Sequence, residues 1–141
     1  MYHTGIQQAL NQYRSAGPLA SVNDADPHHL VQMLFEGALD RIAIARGAMR
    51  QGDTAVKGER ISRAITIIDG LRAHLDLERG GEIAANLQSL YEYMERRLAE
   101  ANLRDDITIL DEVANLLREV KSGWDAIPQQ QSFRSVRSAN G

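Results

Sequence analysis

The chain contains no cysteine. That excludes disulfides, thiolate metal sites and cysteine nucleophiles, and it suits a reducing cytoplasm. Proline is scarce, with three in 141 residues, and aromatics make up only 5%. Sheets draw on aromatic and β-branched residues, so this shortage argues for helix. No block of lysine and arginine occurs, and the net charge of −3 comes from both signs mixed along the chain. Nucleic acid is therefore a poor candidate partner. No apolar run approaches the roughly 20 residues that span a bilayer, so membrane insertion is not expected. The start, Met1-Tyr2-His3-Thr4-Gly5, lacks a charged leader followed by an apolar stretch, so no secretory signal is expected.

What is present is a helical apolar pattern. Hydrophobic residues make up 43% of the chain, enough for the core of one domain. Residues 1–24 read as an arm. Ile6, Ala9, Leu10 and Tyr13 fall on one face of a short helix, which Gly17-Pro18 ends. A helix so short is marginal in water unless its face docks. Asp26 and Pro27 then open the first long helix. Its stripe is Leu30, Leu34, Ala38, Ile42, Ala45 and Met49. Val31, Phe35 and Leu39 widen the stripe on one flank, and Met33 and Ile44 on the other. The resulting arc exceeds the roughly 100° that an ordinary surface helix needs. Gly52 ends this helix and Asp53 caps the next.

The second helix is predicted over 54–78, centred on Ala64, Ile68, Leu71 and Leu75, with Ile61, Ile65 and Ile67 beside them. Gly80-Gly81 supplies its stop. The third is predicted over 82–103, with a stripe from Ile83 through Leu87, Tyr91, Met94 and Leu98 to Ala101. Asp105 and Asp106 suit the start of the fourth, whose face runs from Ile109 to Trp124 before Pro128 closes it. Short joining loops make neighbours antiparallel. The expected fold is all-α: an antiparallel up-down four-helix bundle over 25–127, with the arm before it. The polar, aperiodic segment 128–141 is expected to be a disordered tail.

A search for chemistry finds little. Carboxylate-bridged metal bundles use Glu-x-x-His pairs, and none occurs here. His28 and His29 read as a solvated helix start rather than a metal site. There is no nucleophile elbow and no phosphate loop. No catalytic, metal-binding or cofactor-binding residue is assigned, and an enzyme is not expected. Arg41 and Arg60 intrude on the apolar stripes, where long stems can cover apolar surface while the heads stay wet. What remains is surplus apolar surface. It serves either a thick core with a self-association patch, or a groove that accepts a partner helix. Met33, Ile44 and Ile67, at stripe edges, are the groove candidates. Tyr91 lies within its stripe and reads as core, whereas Tyr93 points off it toward a partner. Asn86 could bond a partner's backbone or bridge two helices of its own bundle.

Several strings resemble the flagellin-specific secretion chaperones of the FliS family. Gly81-Glu82-Ile83-Ala84-Ala85-Asn86-Leu87, Leu90-Tyr91-Glu92-Tyr93 and Arg96-Arg97-Leu98 with Ala101-Asn102-Leu103 are similar to its central motifs. Pro27-His28-His29-Leu30 with Met33-Leu34-Phe35-Glu36-Gly37-Ala38 is similar to its opening one, with Asp26 where a serine is usual. The resemblance covers residues 1–127. It implies a cytoplasmic chaperone, without cofactor, that binds the C-terminal segment of flagellin. Such a protein keeps flagellin from polymerising and delivers it to the flagellar export apparatus. It also implies that N-terminal residues cap the binding surface, here Tyr2, Ile6, Leu10 and Tyr13. An export-gate component or a regulator of flagellar genes is a further partner to consider, and a homo-oligomer stays open. The alternative is a self-associating structural or regulatory bundle that does not bind flagellin.

Overall fold

A computed structural model describes residues 26–127, so the predicted arm and tail lie outside the described residues. Four helices follow in order: α1 (Pro27–Gln51), α2 (Thr54–Ala73), α3 (Leu77–Arg104) and α4 (Ile107–Ala126). Each begins at an aspartate whose carboxylate accepts a hydrogen bond from a backbone N–H of the first turn. Asp26 takes that of His29 at 3.1 Å, Asp53 that of Val56 at 3.2 Å, Asp76 that of Arg79 at 3.2 Å and Asp106 that of Thr108 at 2.9 Å. These bonds satisfy donors that a helix start leaves free. Gly52 closes α1 in the left-handed conformation, with φ 74°. Asp105 closes α3 at φ 53°, unusual for a residue with a side chain.

The second predicted helix is shorter than its pattern. α2 ends at Ala73, where His74 caps it and its ring nitrogen Nδ1 lies 2.8 Å from the Gly70 carbonyl. Asp76 then caps α3, which begins before the Gly80-Gly81 pair rather than after it. The glycines mark a kink inside α3 instead of a gap between helices. Gly81 adopts φ 53°, ψ −127°, a region that a Cβ disfavours. A Cβ on Gly80 would stand 2.5 Å from that of Ala84.

Packing joins α1 to α2 and α4, and α3 to α2 and α4, so the helices form a ring around one core. Side-chain pairs set the directions. His28 meets Trp124 and Arg46 meets Asp111, so α1 and α4 run oppositely. Lys57 meets Asn102 and Arg72 meets Glu92, so α2 and α3 do the same. Phe35, Ile61, Ile68, Met94, Leu98, Leu110, Val113 and Leu117 fill the centre. At one end of the ring, Lys57 is buried and its ammonium donates to the Asn102 carbonyl at 3.0 Å and to the Asp105 carboxylate. The lysine thereby ties the start of α2 to the left-handed end of α3. Among the described residues no helix is long and apolar enough to cross a membrane.

Candidate partner-binding groove

At the opposite end, where α1 starts and α4 finishes, the ring opens into a cavity of about 320 Å³. All four helices wall it. Val31 and Phe35 come from α1, Leu71 from α2, Leu87 and Tyr91 from α3, and Val120 and Trp124 from α4, with Leu75 in the α2–α3 turn. Phe35, Leu71 and Tyr91 are buried and form the floor. Burial pushes the Tyr91 phenol up to about 12, because a phenolate has no water to solvate it there. Gly123 lies on the α4 wall, and a Cβ placed there would meet nothing within 4 Å. Ile127 stands at the mouth. Ile83, 74% exposed, lies one turn before Leu87 and continues the same apolar face outward.

His28 is not solvated, contrary to its reading as a wet helix start. It is buried, and its ring stacks on the Trp124 indole with centroids 4.9 Å apart and planes at 14°. Trp124 Nε1 donates to the His28 carbonyl at 3.0 Å, and His28 Nε2 lies 2.9 Å from the Trp124 carbonyl. One turn on, Gln32 donates to Asp125 at 2.8 Å, and Lys121 donates to the same carboxylate at 2.5 Å. The lysine first, then the glutamine, hold the Asp125 carboxyl below its ordinary range. These contacts fasten the last turn of α4 to the first turns of α1 and so fix one groove wall. Histidine spacing gave no sign of this, because the partner lies 96 residues away.

The five groove candidates fall elsewhere. Ile67 lies on the α1/α2 seam, packed on the core with its Cδ1 3.4 Å from where a Cβ on Gly37 would be, while Met33 is half-buried and Ile44 exposed on α1. Tyr93 sits between α3 and α4, where its hydroxyl donates to Glu112 at 2.5 Å, and Arg97 donates to the same carboxylate at 2.8 Å. The hydrogen bond to Glu112 raises the Tyr93 phenol, and the same bond, with that of Arg97, lowers Glu112. Asn86 is exposed on α3. None of the five lines the cavity. Tyr2, Ile6, Leu10 and Tyr13 lie outside the described residues. The lining was instead read as core stripe, and the signal that marks it is Gly123, a glycine inside the apolar face between Val120 and Trp124.

An apolar trough open to solvent, with walls from every helix of a bundle, is concave and apolar enough to take up an apolar group. Among the described residues no group of histidines and acids could hold a metal ion. The family model described as flagellar protein FliS matches residues 8–131. The flagellar secretion chaperone FliSB of Pseudomonas aeruginosa is 55% identical over 120 residues, covering 85% of this chain and 95% of that protein. The flagellar secretion chaperone FliS of Salmonella typhimurium is 46% identical over 129 residues, covering 91% and 96%. That of Bacillus subtilis is 36% identical over 122 residues, covering 86% and 88%. The chain belongs to the FliS family of flagellar secretion chaperones.

Proposed function

We propose that this chain binds the C-terminal segment of flagellin in the cytoplasm, keeps it from polymerising early and hands it to the flagellar export apparatus. The observation that carries this reading is the apolar cavity of about 320 Å³ walled by all four helices. A disordered segment that folds on binding costs about 2–5 kcal/mol or more to order. Apolar burial, at about 25 cal/mol per Å², has to exceed that cost. The cavity alone takes a few side chains, so the partner spreads beyond it, over surfaces such as that around Ile83. Met33, Ile44, Ile67, Asn86 and Tyr93 are further contact points in this reading. The arm, through Tyr2, Ile6, Leu10 and Tyr13, is a detachable cover that flagellin displaces.

The test is titration calorimetry of the full chain against a C-terminal flagellin peptide. Binding with a negative heat-capacity change is expected. Absence of heat, together with a stable dimer by light scattering, would replace this reading with a self-associating bundle.

A further inference from the structure

The described chain ends at the trough itself. Ile127, which stands at the mouth, leaves α4 with φ −75° and ψ 120°, its N–H held by the Trp124 carbonyl at 3.1 Å. Pro128 follows, and a proline keeps its predecessor extended and out of the helix. Segment 128–141 therefore starts at the rim of an apolar opening. It is long enough to enter. Phe133 lies six residues beyond Ile127, a reach of up to about 20 Å, which far exceeds the width of a cavity of about 320 Å³.

Composition and charge point the same way. Among residues 128–141 the large apolar side chains are Phe133 and Val136, each followed at once by an arginine, Arg134 and Arg137, and there is no acidic side chain. The trough has one carboxylate in its lining, that of Glu119. Glu119 is exposed and makes no hydrogen bond or ion pair among the described residues, whereas the nearby Lys121 is taken up by Asp125. The opening thus offers an apolar floor beside an unpaired negative charge, and the segment offers an aromatic ring beside a positive one.

We infer that segment 128–141 folds back on its own trough, with the Phe133 ring inside and the Arg134 guanidinium on the Glu119 carboxylate. A tether of five residues holds the ring at an effective concentration on the order of millimolar. A contact far too weak between separate molecules therefore still fills the trough part of the time. Partial filling is compatible with a segment too polar to build a core of its own. Phe133 shields the buried floor of Phe35, Leu71 and Tyr91 from stray apolar partners and leaves when a longer one arrives, while the arm is left the apolar surface outside. This regulates the site proposed for flagellin and rests on that reading for its purpose; the contact itself does not.

The test compares full-length chains, isotope-labelled for NMR. Phe133→Ala should move the amide signals of Leu71, Leu87, Tyr91 and Trp124 and shift Trp124 emission to the red. Arg134→Glu should move the same signals part of the way, and adding Glu119→Arg to it should bring them back. Signals that move only beyond residue 127 would overturn the inference. So would trough signals that answer to Ile6→Ala but not to Phe133→Ala, which would give the trough to the arm. Shifts that grow with protein concentration would equally overturn it, giving the trough to a second copy of this chain. A C-terminal flagellin peptide should bind Phe133→Ala about twofold more tightly than the parent, as expected where a competitor fills the site half the time. Equal affinity alongside those shifts would uphold the contact and count against flagellin entering the trough.

Discussion

At His28 one imidazole stacks on an indole, faces a carbonyl 96 residues away and fills the start of α1. Removing it leaves a hole and frees the Trp124 carbonyl from that contact. His28→Ala should cost about 2 kcal/mol in urea unfolding. His28→Phe, which keeps the stack, should cost less. Lys57 is comparable. Lys57→Met keeps the stem but leaves the Asn102 carbonyl and the Asp105 carboxylate without their shared ammonium, a loss of about 1–3 kcal/mol by the same measurement. Tyr91 is 3% exposed and carries a pH signature. Its folded pKa of about 12 lies above the ordinary value of 10, so the folded state holds this proton more tightly. Its contribution is complete below pH 10 and is lost as pH rises toward 12, about 2–3 kcal/mol in all. Tyr91→Phe should flatten that part of the stability–pH curve.

Among elements, α3 departs most from its pattern. Paired glycines after an apolar helix read as a stop because glycine most often ends helices. Here Asp76 offers a cap earlier, and α3 passes through the pair with a kink. Gly81→Ala should destabilise by about 1–3 kcal/mol, since alanine must enter a region its Cβ resists. Chemical denaturation of the variant checks this. The start of α1 and the α1–α2 boundary, by contrast, were legible: Asp26 and Pro27 at the one, Gly52 and Asp53 at the other, sit where capping preferences put them. Caps are local, written in adjacent residues, and survive translation into structure. The end of α2 depends on a competition between two nearby signals, which periodicity cannot weigh.

For the whole molecule, four helices and their faces were legible because each stripe is long and repeats at the helical period. The groove was not. Phe35, Leu71, Leu87 and Trp124 have the spacing of core residues, and whether a stripe meets another helix or open space depends on how four helices splay at one end. Periodicity carries no such information. The groove does yield a whole-molecule prediction. Gly123→Leu places a side chain into free space on the α4 wall and replaces a poor helix former with a good one. Melting temperature should hold or rise while affinity for the flagellin peptide falls at least tenfold, on the order of 1.4 kcal/mol. Ordinary core damage would lower both together, so calorimetry and thermal melting on one variant separate blockage from unfolding.

Trp124 is the chain's sole tryptophan. It sits with one face against an imidazole and an edge on the cavity. The molecule therefore carries an optical probe at the apolar trough. Its emission colour will register whether the trough holds solvent or an apolar group, with no dye attached and no second indole to blur the reading.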